Sequence, residues 1–444
     1  MRDLMMLGAM MALVPLSLAN GFVAYLLWGW TAVLSPIYYL YGFMQSVRFS
    51  LMFAVIAMLM MLLGRLKDRG SFKLSRTSVL FLIFAAHASL CAIFAFPNNP
   101  FNLEYYGGLM KVMVFCLLMP VFVTSRLRIH AMLIMVVLGL GFHGTVEGLK
   151  FIASGGGHRV SGIPTTMMGD NNHFAVAMVM SVPIAYYLSH YSQKRLVRFG
   201  FFCGMLLTVA AILGTYSRGG FLCLAVVGLG VAFGAPKKWV AVGVVLLGAV
   251  AVVALAPESW FDRIESIQNA GQDTSFMGRV AAWRISSAIA LSNPVFGGGF
   301  HALQLQSTWN AFKEEGGLLS FVDIPQMPVI AKAAHSIYFE IMGDLGFVGL
   351  FLFLLILGNA IFTRFEIKRL VKRSGERFVW AGNLADLLAV SVVAYMIGGA
   401  GVSLGYFETI YVFVTLMEVL KQHVLQGVAQ ENPTGIATVA PVIA

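Results

Sequence analysis

The sequence predicts an all-α polytopic membrane protein with about 12 transmembrane helices and one large periplasmic loop. Of its 444 residues, 59% are hydrophobic and only 11% are charged, whereas soluble chains carry about 25% charged residues. Its mean hydropathy is +0.82. Apolar stretches of the roughly 20 residues that cross a hydrocarbon core recur along the chain, and basic residues fall in alternate loops.

The apolar stretches define the predicted spans in chain order. Two short pieces, 4–18 and 21–35, come first, and each is marginal as a span. The clearer spans are 48–65, 77–96, 104–124, 127–149, 171–190, 197–215, 218–234, 239–256, 335–363, 380–399 and 404–422. The predicted divisions are transmembrane helices with short loops (1–256), the large periplasmic loop with short amphipathic helices (257–333), C-terminal transmembrane helices (334–424) and a flexible cytoplasmic tail (425–444).

The distribution of basic residues orients the chain. The net charge is +10, and nineteen of the thirty basic residues lie in alternate loops: Arg65, Lys67, Arg69, Lys73, Arg76, Arg126, Arg128, Lys194, Arg195, Arg198, Lys237, Lys238, Arg364, Lys368, Arg369, Lys372, Arg373, Arg377 and Lys421. This positive-inside pattern predicts that these loops are cytoplasmic, and it accounts for the basic excess without a nucleic-acid partner.

The number of crossings depends on the N-terminal stretch. If Arg2 is cytoplasmic, residues 4–35 cross once, which gives twelve spans and two cytoplasmic termini. The alternative is thirteen spans with residue 1 outside. Residues 1–19 also resemble a signal peptide, but the apolar sequence that follows favours an uncleaved span. The four cysteines, Cys91, Cys116, Cys203 and Cys223, fall within spans without paired spacing, which is typical of packing residues.

Arginines outside the cytoplasmic loops are the first candidates for function. Arg218 lies between two spans beside Gly219 and Gly220, and Arg159 follows three glycines. Glycines let a ligand approach the backbone, and a helix N-terminus favours an anion. The two arginines could share an anion site, although snorkelling to the membrane interface is the alternative.

The large loop contains an amphipathic stretch, Met277–Leu291, which predicts a helix on the membrane surface or over a cavity. Arg279 on this helix is a candidate third phosphate contact, whereas Arg284 is expected to meet water or lipid headgroups. The glycines of Asn293–Gly299 predict a flexible turn after the helix.

His335 is the candidate general base. It closes the large loop beside Lys332 and opens the next span, at the outer membrane surface. A histidine with a pKa near 6.5 can accept a proton at neutral pH. His173 and His301 are the next candidates for a catalytic role. His87 and His130 are interpreted as structural.

The sequence favours a site without metal or cofactor. The acidic residues of the outer loops form no Asp-x-Asp pair and no cluster with metal-ligand spacing; they are Glu258, Asp262, Glu265, Asp273, Glu314, Glu315 and Asp323. Guanidinium groups bind phosphate through planar, bidentate hydrogen bonds and could replace a cation. There is no phosphate-binding loop with Lys-Ser/Thr and no cytoplasmic domain for a nucleotide, so ATP-driven transport is not expected.

From about residue 100 to 420, the chain resembles the O-antigen ligase and polymerase superfamily. The resemblance rests on Ser217–Gly220, on Gly278, Arg279 and Trp283 followed by Asn293–Gly299, and on His335 at the start of a span after a large loop. Arg159–Gly162 followed by Asp170-Asn171-Asn172-His173 is most similar to the ligase branch, which includes O-glycosylation ligases.

The resemblance implies a glycosyltransferase of the bacterial inner membrane in lipopolysaccharide biosynthesis. An undecaprenyl-diphosphate-linked polysaccharide would be the donor, and a hydroxyl of lipid A-core the acceptor. In a polymerase the acceptor would be a carrier-linked repeat unit. In a protein O-oligosaccharyltransferase the acceptor would be a Ser or Thr side chain. The family's essential histidine corresponds to His335. Its essential arginines correspond first to Arg218, and Arg159 and Arg279 are the second candidates. Lys332, His173, Asn172, His301 and Tyr338 are candidate supporting residues.

A lipid-linked oligosaccharide flippase is the alternative from another class. A flippase is expected to carry charged residues deep within its spans and to show internal repeats. Here the notable charges lie at the outer ends of spans. The sequence therefore favours an enzyme that contacts membrane lipids but neither nucleic acid nor nucleotide.

Overall fold

A computed structural model describes residues 1–66, 68–72, 74–235, 237–254, 274–324 and 326–431. Within these ranges all regular structure is helical. Several residues considered above fall outside them, namely Lys67, Lys73, Glu258, Asp262, Glu265, Asp273, the first part of the large loop and the tail beyond Glu431.

Fifteen α-helices are described. They are α1 (Arg2–Ala19), α2 (Gly21–Leu34), α3 (Phe49–Leu62), α4 (Arg76–Ile93), α5 (Asn102–Phe122), α6 (Arg126–Ala153), α7 (Asn171–Tyr191), α8 (Arg195–Gly214), α9 (Arg218–Gly234), α10 (Lys238–Ala254), α11 (Thr274–Ser292), α12 (Gln306–Phe312), α13 (Ile337–Arg373), α14 (Val379–Gly399) and α15 (Glu408–Glu431). Short 3-10 helices cover Pro36–Tyr39, Phe43–Ser46, Ala302–Gln304, Gly317–Leu319 and Gly375–Phe378.

Eight helices of the described chain are long and apolar enough to cross a membrane: α1, α4, α5, α6, α7, α8, α13 and α14 with its preceding turn. The helices α2, α3, α9 and α10 are apolar but shorter. A polytopic, all-helical membrane protein is thereby confirmed, while the count of 12 spans stays a prediction. Helix α15 continues to Glu431, past the predicted end of the transmembrane region at residue 424.

The N-terminal stretch differs from the prediction that residues 4–35 cross once. It forms two helices that meet at Asn20, and the Asp3 carboxylate accepts hydrogen bonds from the Tyr41 and Met44 amides (3.2 and 3.0 Å). The start of α1 therefore lies beside the segment that follows α2, so the two helices are antiparallel. The sequence separated the two pieces, but because each is short or only moderately apolar, hydropathy alone did not show that they form an antiparallel pair. Residue 1 therefore lies at the same end of this helix pair as Tyr41 and Met44.

Helix α7 is the most enclosed of the spanning candidates, with 83% of its apolar window buried. It contacts α6, α8, α9 and α14. Small residues allow two of these contacts, because a Cβ atom on Gly220 would lie 2.6 Å from the Ala175 Cβ and one on Gly398 would lie 2.8 Å from Val176. The central position of α7 brings its N-terminus, Asp170–His173, next to loops from distant parts of the chain.

The helix predicted at Met277–Leu291 is present as α11, and it is longer at both ends. It packs against α13, and Ala281, Ala282 and Ile285 are fully buried. Helix α11 therefore lies against the helical bundle through its apolar face.

The turn predicted as flexible, Asn293–Gly299, is instead held by hydrogen bonds to α13. The Gly298 and Gly299 amides donate to the Gly343 and Asp344 carbonyls (2.9 and 3.0 Å). Helix α13 is interrupted at Gly346, where φ is +70° and a side chain would meet the Pro294 carbonyl at 2.6 Å. The glycines thus allow two backbones to pair closely, which local composition could not reveal.

Candidate active site

The N-terminus of α7 forms the centre of the candidate site. Asp170 caps this helix, and its carboxylate accepts hydrogen bonds from the Asn172 and His173 amides (2.7 and 2.8 Å). Burial would raise the pKa of Asp170, but the hydrogen bond and charge of His173 lower it to about 2. Asp170 is therefore an ionised carboxylate in an otherwise cationic region.

The N-terminus of α9 lies beside that of α7. Ser217 caps α9 through Gly220 (3.1 Å) and donates to the Asn172 side-chain oxygen (2.8 Å). Asn171 donates to the Thr215 carbonyl (2.9 Å). Arg218, half-buried, is the first residue of α9. Two helix N-termini, each with a partial positive charge, thus meet next to a guanidinium group, an arrangement that favours an anion.

The loop that carries Arg159 is attached to the same corner. The Val160 amide donates to the Gly214 carbonyl (2.8 Å), and the Tyr216 hydroxyl donates to the Gly156 carbonyl (2.7 Å). Arg159 itself is exposed. The structure therefore places Arg159 and Arg218 on adjoining segments, although they are far apart in sequence.

His335 approaches the N-terminus of α7 from the other side. Its amide donates to the Ser403 hydroxyl (2.8 Å), and its ring centroid lies 5.9 Å from that of His173. The backbone φ is +45°, a conformation that costs a non-glycine residue about 1–3 kcal/mol. The buried Nδ1 atom has no hydrogen-bond partner among the described residues. This nitrogen is a candidate proton acceptor.

His173 is fixed between Asp170 and Ser403. Its Nδ1 lies 2.6 Å from the Asp170 carboxylate, and its Nε2 lies 3.1 Å from the Ser403 amide nitrogen and 3.2 Å from the Ser403 carbonyl oxygen. A neutral His173 can accept at Nε2 from the amide, and a protonated one can donate to the carbonyl. The turn between α14 and α15 can therefore hold either form.

Arg279 and Lys332 add positive charge next to His335. The Lys332 ammonium lies over Gly278, where a Cβ atom would be 3.1 Å from Nζ, and Arg279 approaches Gly401. Burial, followed by the charges of Arg279, His173 and Lys332, lowers the pKa of His335 to about 4, against an opposing effect of Asp170. His335 is consequently neutral at pH 7 and able to accept a proton.

Trp283 links α11 to the segment that precedes His335. Its indole nitrogen donates to the Ala334 carbonyl (2.7 Å), and its ring stacks on Phe339 at 5.3 Å. Helix α11 thus positions both Arg279 and the chain that leads to His335.

Asp170, His173 and His335 could also hold a metal ion, because one ligand atom from each lies within 4.8 Å of the others. Two features oppose this arrangement. His173 already binds Asp170 and Ser403, and Arg279 and Lys332 act on His335 with positive charge, which repels a cation. The nearby positive charge therefore disfavours a metal ion at these three residues.

Other predicted residues make their described contacts with residues outside this cluster. His301 accepts from Gln304 (2.6 Å) and faces Glu340 at 3.6 Å, and burial lowers its pKa to about 4. Tyr338 donates to the Met396 carbonyl (2.7 Å), which ties α13 to α14. Arg284 donates to the Glu315 carbonyl (3.1 Å).

The two histidines interpreted as structural are both hydrogen-bonded within the bundle. His87 Nε2 lies 2.9 Å from the Leu345 carbonyl, and His130 Nε2 lies 3.0 Å from the Tyr187 hydroxyl.

The sequence reasoning did not single out Asp170 or Ser403. Asp170 stood within the Asp170–His173 segment as the cap of a helix, and this position could have suggested it. Ser403 lies in a glycine-rich turn 230 residues after His173. No local pattern marks its contact with two histidines.

Comparisons with known families cover most of this site. Residues 203–354 match the family described as O-Antigen ligase, whose members are glycosyltransferase-like enzymes. Residues 1–193 match a family of unknown function, DUF5935. No curated protein matches the chain. Arg218, Arg279 and His335 lie in the first region and Arg159, Asp170 and His173 in the second, so both regions contribute to one site.

Proposed function

We propose that this chain, which belongs to the O-antigen ligase and polymerase superfamily, is an O-antigen ligase. It transfers polysaccharide from undecaprenyl diphosphate to a hydroxyl of lipid A-core, on the periplasmic face of the bacterial inner membrane. The reaction inverts the anomeric carbon and uses neither metal nor nucleotide.

One observation carries this proposal: the N-terminus of α7 adjoins an anion-binding corner on one side and a neutral histidine on the other. Asn172 joins it to Ser217 and the start of α9 (2.8 Å), and His173 lies 5.9 Å from His335 between ring centroids. A diphosphate leaving group needs positive charge, and the acceptor hydroxyl needs a base. The site offers both.

In the proposed reaction, Arg218 binds the donor diphosphate together with Arg279, and Arg159 contacts it from the adjoining loop. The acceptor oxygen attacks the sugar C1 atom, and its proton passes to His335. The bond between C1 and the phosphate oxygen breaks, and its electron pair stays on the diphosphate, where the arginines stabilise the growing charge. Lys332, next to Arg279, adds to this field.

The pKa of His335 responds to the donor in this scheme. In the free protein, burial and then the charges of nearby cations hold it at about 4, which makes His335 neutral but only weakly basic. A bound diphosphate brings negative charge to Arg279 and offsets this effect. The base thereby gains strength when the donor is present.

The side of the membrane follows from charge. Arg65, Arg126 and Arg195 lie in connections at the end of the bundle opposite the site, and basic connections stay in the cytoplasm. The candidate site therefore faces the periplasm. Residue 1 faces the same side, since the start of α1 packs on Tyr41 and Met44.

The test is reconstitution of the purified protein in liposomes with carrier-linked glycan and three acceptors: lipid A-core, a second carrier-linked glycan, and a Ser/Thr-containing protein. We expect product on lipid A-core alone. Arg218→Ala should lower kcat by about 10²–10³-fold, because a charge-stabilising donor is lost. Arg195→Ala, an exposed arginine at the opposite end of the bundle, should leave the rate unchanged.

Other outcomes would reassign the activity. Lengthening of carrier-linked chains would identify a polymerase, and glycosylated protein would identify an O-oligosaccharyltransferase. Movement of the donor across the bilayer without any covalent product would identify a flippase.

A further inference from the structure

A cavity lies at the same end of the bundle as the candidate site, and its walls come from residues 1–193, the region that matches a family of unknown function. Its volume is about 920 Å³, and it opens between α2, α3 and α5. Trp28, Ala54, Met58 and Val114 give it apolar walls. The reaction scheme above leaves this groove without a role.

Two cations line the groove. Arg48 immediately precedes α3, and Lys111 lies within α5; both are exposed. Neither forms an ion pair with any residue that the structure describes, and the lining contains no carboxylate. Unpaired cations beside an apolar wall are chemically complementary to an anion attached to a hydrocarbon.

The depth of Lys111 supports this interpretation. At 1.5 Å per residue, it lies about 14 Å along α5 from Asn102, within a predicted membrane span. A lysine at such a position is costly and marks a binding site by default. Its flexible chain can reach toward the interface, where a headgroup lies.

The outside of the groove is suited to acyl chains. Leu51 and Val55 on α3 and Val114 on α5 are exposed, so apolar surface borders the opening. A lipid could place its chains there while its headgroup meets Arg48 and Lys111. Charge and apolar surface together fit one molecule better than a soluble anion.

The groove is also close to the candidate active site. Its lining includes Thr165 and Thr166, from the loop that precedes α7. The Ile163 amide donates to the Met168 carbonyl (2.7 Å), which folds this loop back on itself. Thr166 is four residues from Asp170, so the two lie within about 14 Å even if the chain were fully extended.

We propose that this groove binds the phosphorylated headgroup of the acceptor lipid and presents its sugar to His335. The identity of the lipid as acceptor rests on the function proposed above; the phosphate chemistry rests on Arg48 and Lys111. The donor diphosphate has its own site at Arg218, so the two substrates enter from different sides of the loop before α7.

The test compares the double variant Arg48→Gln/Lys111→Gln with a matched control, Lys194→Gln/Arg195→Gln, whose cations are exposed at the opposite end of the bundle. We expect the double variant to raise the KM for lipid A-core by about tenfold or more, with kcat and the donor KM unchanged. Dephosphorylated lipid A-core should give the wild type a similarly high KM. Ser50→Trp, which fills the groove without changing its charge, should also raise the acceptor KM.

Direct binding separates this inference from the proposed function. Native mass spectrometry would measure the binding of lipid A-core, undecaprenyl diphosphate and phosphatidylglycerol to the wild type and to the double variant. Selective loss of lipid A-core supports the groove even if no transfer is detected. Unchanged binding, selective loss of undecaprenyl diphosphate, or equal loss of phosphatidylglycerol would each overturn it, since the last two identify a donor site or a general lipid site.

Discussion

At the residue scale, the proposed role of His335 as the base predicts a pH dependence through its protonation state. The neutral form is active, so activity falls as pH drops through the pKa of His335. In the free protein this pKa is about 4, which sets the acid limb of kcat/KM. The bound diphosphate raises it, so the acid limb of kcat should lie at higher pH.

The variant Arg279→Gln tests the direction in which the acid limb of kcat/KM moves. Because the charge of Arg279 lowers the pKa of His335, its removal should move the acid limb of kcat/KM upward. A limb that moves downward, or a kcat limb at or below that of kcat/KM, would contradict the proposed role of His335. Both limbs can be measured from initial rates in liposomes.

Individual residues also show how far sequence reasoning can go. Arg218 and His335 could be predicted because charged residues at the outer ends of apolar spans are unusual and invite a functional explanation. Ser403 could not, because its contacts with His335 and His173 are made across 68 and 230 residues. His301 was placed with the site by residue type alone, yet its neighbours are Gln304 and Glu340.

At the scale of elements, the site depends on the close approach of α9 to α7. Gly220→Ala should separate the two N-termini, because the new Cβ atom would lie 2.6 Å from the Ala175 Cβ. Since a displacement of about 1 Å can cost about 10²-fold in rate, we expect a comparable loss of kcat. The measurement is the transfer rate at matched amounts of folded protein.

Gly200→Ala is the matched control. Its Cβ atom would meet nothing within 4 Å, and both substitutions replace a helical glycine by alanine. Equal rates in the two variants would show that the α7–α9 approach does not position the site.

Long apolar stretches made most elements predictable. The predicted spans 127–149 and 171–190 correspond to α6 and α7 with small shifts at their ends. The interruption of α13 at Gly346 was not predicted, because it depends on backbone contacts with Pro294 and Val295. Hydropathy shows whether a segment prefers lipid or water, whereas close pairing of two backbones depends on tertiary contacts.

At the scale of the whole molecule, the hairpin of α1 and α2 determines where residue 1 lies. An epitope tag placed before Met1 should be reached by antibody in intact spheroplasts, because the start of α1 packs on Tyr41 and Met44, at the end of the bundle that we propose to be periplasmic. A tag after Ala444 should require permeabilised membranes. A tag before Met1 that is reached only after permeabilisation would restore the prediction of two cytoplasmic termini.

The candidate site joins the two parts of the chain that match different families. The part matching the O-antigen ligase family supplies Arg218, Arg279 and His335, and the N-terminal part supplies Asp170, His173 and the groove. The proposed site is incomplete in either part alone. In the proposed scheme, residues 1–193 complete the anion site and bind the acceptor.

The central claim is that His335 serves as the base of a metal-independent transfer, and single-turnover transfer in liposomes with a chelator tests it most directly. The wild type should keep its rate with chelator, and His335→Ala should lose about 10²–10⁴-fold, as expected for removal of a general base. His190→Ala, an exposed histidine at the far end of α7, should retain the wild-type rate. Full activity in His335→Ala, or loss of wild-type activity on chelation, would contradict the account.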